Sequence, residues 1–357
     1  HVGVLNMMPD AALAATERQF FRLVGESNPI AQFYMHPFTL DALPRGEQAR
    51  EHIERYYDTF EEICEEGLDA LIITGANVTH PDLSQEPFWE SLREVFHWAQ
   101  ENVTSVLCSC LATHAAMQFE HGRKRRPLPA KRWGVFPHRV IRGAHPLVND
   151  VNTQFDVPHS RFNDISAEQF REAGLHVLVD SESAGVHLAV SADGFRVVYF
   201  QGHPEYDTVS LLKEYKREVS RYANGERSDY PPFPDNHFRL REQAILDEYR
   251  LRLEAAREAG DPVPGARVAV REGFAVRHPF VPTEARGEVV LEEVVGRRVD
   301  VHVALPPYRT SEVAATVDLL QGGARIEHVV SLPREVLVRV TLSGRPGLPG
   351  SYRIEGN

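Results

Sequence analysis

The stretch Ser105–Ala112, SVLCSCLA, decides the fold of this chain. Its first four residues form the apolar run of a buried strand, and the residues that follow Cys110 repeat apolar side chains at helical spacing. A strand that turns sharply into a helix is typical of a nucleophile elbow, in which small residues stand two positions before and after the nucleophile. For Cys110 those neighbours are Cys108 and Ala112, so we interpret Cys110 as the candidate nucleophile. The alternative is a buried structural cysteine.

The predicted helix after Cys110 gives this cysteine a chemical role. A helix N-terminus stabilises a thiolate and offers backbone N–H groups to an oxyanion, and Leu111 is the first such donor. A second donor, Ala76 or Asn77, is predicted in the loop Thr74–Asn77. This loop follows a buried strand, and α/β proteins place binding groups at the carboxyl ends of strands. The alternative for the loop is an ordinary turn.

A histidine and a glutamate follow another predicted strand, in Gln201–Asp207, QGHPEYD. Side chains two positions apart point the same way in an extended segment, so His203 and Glu205 are predicted to lie side by side. A carboxylate that orients an imidazole, which in turn faces a thiol, is what nucleophilic catalysis requires. The motif alone is also compatible with a solvated turn. Its combination with Cys110 favours a Cys-His-Glu arrangement.

Short apolar runs alternate with amphipathic segments along most of the chain. This alternation predicts an α/β fold with a parallel sheet and right-handed crossovers, and a more β-rich middle part. The predicted strands are 2–5, 30–34, 70–73, 105–108, 135–141, 176–179, 186–190 and 196–200. The predicted helices are 12–25, 59–66, 88–102, 111–119, 208–222 and 238–258.

A change of composition after Gly260 divides the chain. Residues 1–260 are predicted to form the catalytic domain, which ends with a helix inside the segment 236–260. Residues 261–265, DPVPG, have the composition of a linker. The segment 266–357 is rich in Val and Arg with alternating stretches, and we predict a small β-rich domain of unknown role.

Composition excludes several classes of function. The chain has 357 residues, 42% hydrophobic, which is enough for a sizeable core, and its net charge of −12 disfavours nucleic acid. Three cysteines cannot pair completely, which fits a reducing compartment, and no apolar run reaches the roughly 20 residues of a membrane helix. We therefore expect a cytoplasmic protein. Its 17 histidines show no metal-ligand spacing and no nucleotide-binding motif is present, so neither a metal nor a cofactor is expected.

The chain resembles the MetA-type homoserine O-acyltransferases, the homoserine O-succinyltransferases and O-acetyltransferases. These enzymes share the fold and the Cys-His-Glu triad of the class I glutamine amidotransferases. The resemblance covers residues 1–258, and it implies a flavodoxin-like three-layer sandwich to which the β-rich segment is an appendage. The motifs that carry it are LNMMP (5–9), TERQF (16–20), TGA (74–76), CLA (110–112), GVF (134–136), PHSR (158–161) and GHPEYD (202–207).

The resemblance implies a reaction and its catalytic residues. Cys110 would form an acyl-thioester, His203 would be the general base and Glu205 its partner. The donor would be succinyl-CoA or acetyl-CoA, which is a substrate and not a bound cofactor. The acceptor would be the side-chain hydroxyl of L-homoserine, in methionine biosynthesis. A homodimer is also implied.

The resemblance further implies four residues that contact substrate. Lys131 falls at a substrate-contacting lysine, Ser160 at a specificity serine, and Arg217 at the arginine that holds the amino acid's carboxylate. Thr79 occupies the position that helps choose the acyl donor, where glycine accompanies succinyl and glutamate accompanies acetyl. Threonine is neither, but it lacks the charge that would repel a succinyl carboxylate, so succinyl is favoured. Asp10 stands where the family usually has lysine.

Three other functions are compatible with the sequence. A glutaminase would use the same triad on an amide. An acyltransferase could use serine or another hydroxy amino acid, since the chain departs from the family pattern around Asp10 and Thr79. A catalytically silent paralogue could bind or regulate through its β-rich segment, although the intact Cys110, His203 and Glu205 count against it.

Overall fold

A computed structural model describes residues 1–259 and eight strands between residues 267 and 356. The first strands are β1 Val2–Leu5, β2 Met35–Phe38, β3 Ala70–Ile73, β4 Ser105–Ser109, β5 Arg126–Val140, β6 Gln154–Asp164, β7 His176–Asp180, β8 Leu188–Val190 and β9 Val197–Phe200. The helices are α1 Asp10–Glu26, α2 Glu47–Tyr56, α3 Phe60–Glu66, α4 Trp89–Asn102, α5 Leu111–His121, α6 Ala167–Glu172, α7 Ser210–Ala223 and α8 Leu240–Ala259. None of these helices is long and apolar enough to cross a membrane.

The first nine strands form one mixed sheet in the order β2-β1-β3-β4-β9-β8-β7-β5-β6. Strands β2, β1, β3, β4 and β9 pair in parallel, and the remaining neighbours are antiparallel. The parallel half is the α/β unit predicted from the alternation of apolar and amphipathic segments. Because β3, β4 and β9 are neighbours and run the same way, the loops after them open at one edge of the sheet.

Helices cover both faces of the parallel half, because alternate strand residues point to opposite sides. On one face, Val2, Val4 and Ile72 pack with Phe20 of α1. The opposite face carries the larger core, which draws on α3, α4 and α5; its members include Leu5, Leu71, Ile73, Val106, Ile63, Leu92, Val95, Phe96, Ala112 and Met117. The predicted three-layer α/β sandwich is confirmed.

The predicted strand 30–34 is wrong, and the strand begins at Met35. The side chain of Asn28 accepts hydrogen bonds from the backbone N–H groups of Ile30 and Ala31, which folds the segment into a turn. Pairing with β1 then begins at Val2 opposite Met35. Both outer strands contain a proline, which an edge strand tolerates because one of its sides has no neighbouring strand. This explains why the long edge strand β6, with its proline, was missed in the sequence.

The described residues separate into two compact units, residues 1–211 with 234–237, and residues 212–233 with 238–357. The second unit contains most of α7, helix α8 and two antiparallel four-stranded sheets, β11-β10-β13-β14 and β12-β17-β16-β15. These strands are β10 Arg267–Glu272, β11 Ala275–Pro282, β12 Val290–Val294, β13 Arg298–Ala304, β14 Glu312–Asp318, β15 Arg325–Val330, β16 Val336–Gly344 and β17 Tyr352–Gly356. The linker 261–265 falls outside the described residues, and the division of the chain at that point stays a prediction.

Candidate active site

Cys110 sits on a strained elbow between β4 and α5. Its backbone has φ 52° and ψ −105°, a conformation that costs a non-glycine residue about 1–3 kcal/mol. The backbone N–H of Cys110 donates to the Phe200 carbonyl of β9 at 2.7 Å, which fixes the elbow to the neighbouring strand. The side chain of Thr113 donates to that same carbonyl at 2.9 Å. The strand pairing therefore holds the cysteine at the start of α5, half-buried at the edge of the sheet.

His203 and Glu205 form a buried pair after β9. The Nδ1 atom of His203 lies 2.7 Å from Oε1 of Glu205, and both residues are buried. The segment is a turn rather than the extended chain that we predicted, since the N–H of Tyr206 donates to the His203 carbonyl at 3.3 Å. The Tyr206 ring also stacks on the imidazole at 4.2 Å between centroids. The turn places the side chains of His203 and Glu205 next to each other, which an extended segment would also have done.

The electrostatic surroundings favour the charged form of His203. Burial alone would lower its pKa, but the negative charges of Glu205 and Cys110 outweigh burial and hold the pKa well above 6.5. The ring nitrogen Nε2 is buried and makes no hydrogen bond to an oxygen or nitrogen atom of the described residues. Cys110 is the group that interacts with it. The three residues can therefore pass a proton between sulfur and imidazole while the carboxylate stabilises the imidazolium.

Two backbone segments beside Cys110, the start of α5 and the loop after β3, can offer N–H groups to an oxyanion. A Cβ atom built on Gly75 would lie 3.9 Å from Cβ of Cys110, so the loop after β3 passes directly beside the cysteine. The N–H groups of Leu111 and Ala76 have no acceptor within the part of the chain that the structure describes. Asn77 is exposed, further along the same loop. The geometry favours Leu111 and the Gly75–Ala76 part of the loop as donors.

The other predicted site residues divide between the two units. In the first unit, Thr79 is exposed on the loop after β3, and Lys131 and Ser160 are half-buried on β5 and β6. The Nζ atom of Lys131 lies 4.2 Å from the centroid of the Trp133 ring, a cation–π contact. Arg217 belongs to the second unit, where it is exposed on α7. The substrate roles of these four residues stay predictions.

A cluster of buried histidines under Gly202 was missed by the sequence analysis. A Cβ atom on Gly202 would lie 2.7 Å from Nδ1 of His187 and 2.9 Å from Cε1 of His159, so the turn that carries His203 rests on this cluster. Nε2 of His159 lies 3.1 Å from Nε2 of His138, and Arg161 donates to Nδ1 of His159. Since arginine can only donate, His159 must donate through Nε2 to His138.

Burial is the main cause that lowers the pKa of all three histidines of this cluster. The positive charge of Arg161 adds to the effect. The cluster is therefore a neutral floor for the turn, in which His138 and His159 are hydrogen-bonded to each other. His159 and Arg161 belong to the PHSR motif, which was the available signal, but the motif does not reveal that His138 and His187 meet them.

His114 is a further buried histidine, one turn of α5 after Cys110. It is 2% exposed, and its Nε2 atom lies 3.0 Å from Oε1 of Gln201. Burial lowers the pKa of this histidine to about 3. His114 is therefore a histidine packed in the interior.

The low pKa of His114 should make the folded protein less stable in acid. Below pH 6.5 the unfolded chain protonates His114 and the folded chain does not, until the pH reaches about 3. As the pH is lowered through this range, protonation of His114 in the unfolded chain should lower the free energy of unfolding by about 1.4 kcal/mol per pH unit. Urea unfolding of His114→Gln between pH 6 and 4 should show a slope smaller by about that amount. An unchanged slope would contradict the assignment.

Fold and geometry together define an α/β protein with a Cys-His-Glu constellation at the carboxyl ends of two neighbouring parallel strands. The sequence profile of the family described as homoserine O-succinyltransferase matches residues 1–256. The chain belongs to this family, whose members are acyltransferase enzymes.

Several relatives carry the same description. The homoserine O-succinyltransferase of Allochromatium vinosum is 72% identical over 264 residues, which cover 74% of each chain. That of Methylococcus capsulatus is 64% identical over 278 residues, 78% of this chain and 77% of the relative. A more distant relative from Cardiobacterium hominis is 49% identical over 269 residues, 75% of this chain and 76% of the relative.

Solved structures similar to the chain include glutamine amidotransferases. One from Thermotoga maritima has 13% identity and a TM-score of 0.42, covering 72% of this chain and 96% of that chain. The glutaminase domain of Trypanosoma brucei CTPS has 11% identity and a TM-score of 0.40, covering 66% of this chain and 98% of that chain.

Proposed function

We propose that this enzyme transfers a succinyl group from succinyl-CoA to the side-chain hydroxyl of L-homoserine, through a thioester on Cys110. The observation that carries the proposal is the constellation itself: a strained cysteine elbow, an imidazole held 2.7 Å from a buried carboxylate, and the loop after β3 passing beside the cysteine. The family supports the donor and the acceptor, because relatives up to 72% identical are described as homoserine O-succinyltransferases.

The first half-reaction forms the thioester. His203 takes the proton of the Cys110 thiol through Nε2, while Glu205 stabilises the resulting imidazolium. The sulfur attacks the thioester carbonyl of the donor, and the N–H groups of Leu111 and Ala76 stabilise the oxyanion. When the tetrahedral intermediate breaks down, CoA leaves as a thiol with the proton from His203. The succinyl group remains on the sulfur.

The second half-reaction transfers the acyl group. His203, now neutral, takes the proton of the homoserine hydroxyl as its oxygen attacks the thioester carbon. The same N–H groups stabilise the second oxyanion, and the Cys110 sulfur leaves with the proton that His203 returns. The product is an O-succinyl ester of homoserine, and the thiol is regenerated. Recognition of the amino acid by Lys131, Ser160 and Arg217 stays a prediction based on the resemblance.

Intact-protein mass spectrometry after brief mixing with succinyl-CoA tests the proposal. The wild-type chain should gain one succinyl group, which L-homoserine discharges. Cys110→Ser should gain no adduct that hydroxylamine removes at neutral pH. Serine is tested in place of homoserine as the acceptor, and glutamine is tested as the substrate of a glutaminase. Discharge by serine and not by homoserine, or hydrolysis of glutamine in place of acyl transfer, would replace the proposed reaction.

The homodimer is retained as a prediction. Light scattering during size exclusion of the full chain measures it, with an expected mass of twice the 40.3 kDa protomer. A mass of one protomer at micromolar concentration would contradict it.

A further inference from the structure

Two guanidinium groups act electrostatically on Cys110. Burial lowers the pKa of Arg125, and the negative charges of Glu86 and then Cys110 oppose that shift. Burial likewise lowers the pKa of Arg161, and Asp164 and then Cys110 oppose it. A positive charge that acts on the nucleophile also acts on an anionic acyl group attached to that nucleophile. These two arginines are therefore the candidates for recognising such a group.

Arg161 is closed off inside the protein, and both of its terminal nitrogens have partners there. Its side chain is 2% exposed. Nη2 lies 2.8 Å from Oδ1 of Asp164 and donates to the Ala184 carbonyl at 2.6 Å, while Nη1 donates to His159. Nε has no partner among the described residues but is buried, so a ligand would have to enter a closed interior to reach this guanidinium. Arg161 is therefore part of the scaffold.

Arg125 is held differently and keeps one nitrogen available. Its Nη2 donates to the His80 carbonyl at 2.7 Å, and its Nε donates to the Pro81 carbonyl at 3.2 Å. Nη1 has no partner within the described part of the chain, and no described carboxylate lies within ion-pair distance of this guanidinium. The two carbonyls fix the orientation of the group, so a ligand that binds Nη1 meets a preorganised cation.

The two acids near Arg125 already have donors of their own. Oε1 of Glu86 accepts hydrogen bonds from the backbone N–H groups of Thr79 and His80, each at 2.6 Å. Asp82 is bound by Lys124. Neither acid therefore takes the place of a ligand on Nη1. Both acids instead shape the loop after β3, whose carbonyls hold Arg125 and which passes beside Cys110.

We propose that Arg125 binds the distal carboxylate of the acyl donor and so selects a dicarboxylic acyl thioester over a neutral one. The inference rests on the acyl transfer proposed above. The distal carboxylate of a succinyl group lies about 4–5 Å from its thioester carbonyl, two methylene groups away. Thr79, which the resemblance connects with donor choice, directly precedes His80, whose carbonyl holds the guanidinium. A charge-assisted hydrogen bond from Nη1 would favour an acyl group that carries a carboxylate.

Butyryl-CoA provides the matched probe, because its acyl chain has the length of a succinyl group and lacks the carboxylate. Arg125→Gln keeps a donor for the His80 carbonyl and removes the charge. We expect the variant to lose about 30–100-fold in kcat/KM for succinyl-CoA and less than threefold for butyryl-CoA. Arg125→Lys keeps the positive charge but lacks the planar guanidinium, so it should lose less activity with succinyl-CoA than Arg125→Gln does. Arg126→Gln removes a neighbouring exposed charge and should change neither value.

The ratio of kcat/KM for succinyl-CoA to kcat/KM for butyryl-CoA distinguishes the possible outcomes. An equal loss for both thioesters in Arg125→Gln would overturn the proposal and leave Arg125 a structural support of the loop after β3. An unchanged ratio in both Arg125 variants would overturn it as well. Wild-type protein that gains no acyl group from either donor would instead refute the acyl transfer itself, so the two failures are distinguishable.

Discussion

Replacing Glu205 with glutamine is expected to lower kcat for acyl transfer by about 10³–10⁴-fold. The carboxylate lies 2.7 Å from Nδ1 of His203, is buried, and raises the pKa of the imidazole. An amide of the same shape cannot stabilise the imidazolium, and it can hold the ring in the wrong tautomer. The measurement is CoA release with succinyl-CoA and L-homoserine at saturating concentrations.

The pH profile separates this role from a packing role. Without the Glu205 charge the pKa of His203 falls, so the limb of the profile that reflects loss of the His203 proton should move to lower pH. Glu65→Gln removes an exposed carboxylate on α3 and should leave both the rate and the profile unchanged. A loss of rate in Glu205→Gln with an unshifted profile would argue against the electrostatic role.

Replacing Gly134 with alanine is expected to cost about 3 kcal/mol or more in the free energy of unfolding. Gly134 has φ 151°, and a Cβ atom there would lie 2.2 Å from the backbone oxygen of Asp235. This contact is with backbone, so no side chain can rotate away. The segment 234–237 would have to leave β5, with loss of the hydrogen bonds between Val135 and Asp235 and between Asp235 and Trp133.

Gly143 is the matched control for this substitution. No atom lies within 4 Å of a Cβ built there. Gly143→Ala should therefore change the free energy of unfolding by less than about 0.5 kcal/mol. Urea unfolding followed by circular dichroism measures both variants. If Gly134→Ala were as stable as the wild type, the approach of segment 234–237 to β5 would be refuted.

Local patterns predicted the parallel half of the sheet well. The buried runs 70–73 and 105–108 became β3 and β4, and the helical spacing after Cys110 became α5. These elements are short, apolar and close to ideal in period, so the chain alone specifies them. The strand predicted at 30–34 failed because register with β1, a non-local pairing, decides where β2 begins.

The candidate catalytic residues were also accessible from the sequence. Cys110 stands where a strand meets a helix, and His203 and Glu205 stand two positions apart after a strand. Topology then brings the two segments together, since β4 and β9 are parallel neighbours. The sequence could not show that neighbourhood by itself, because a large stretch of chain separates the two strands.

The sequence by itself determined which side chains carry the candidate chemistry of this protein: a cysteine where a strand meets a helix, a histidine with its carboxylate, and the motifs of an acyltransferase family. Only the tertiary structure decided which other charges act on that chemistry. Arg125 and Arg161 are both arginines in polar stretches of sequence, yet one keeps a nitrogen available and the other is closed among buried partners. The physical reason is that the effect of a charge depends on its distance from other groups and on its burial, and distant segments of the chain set both.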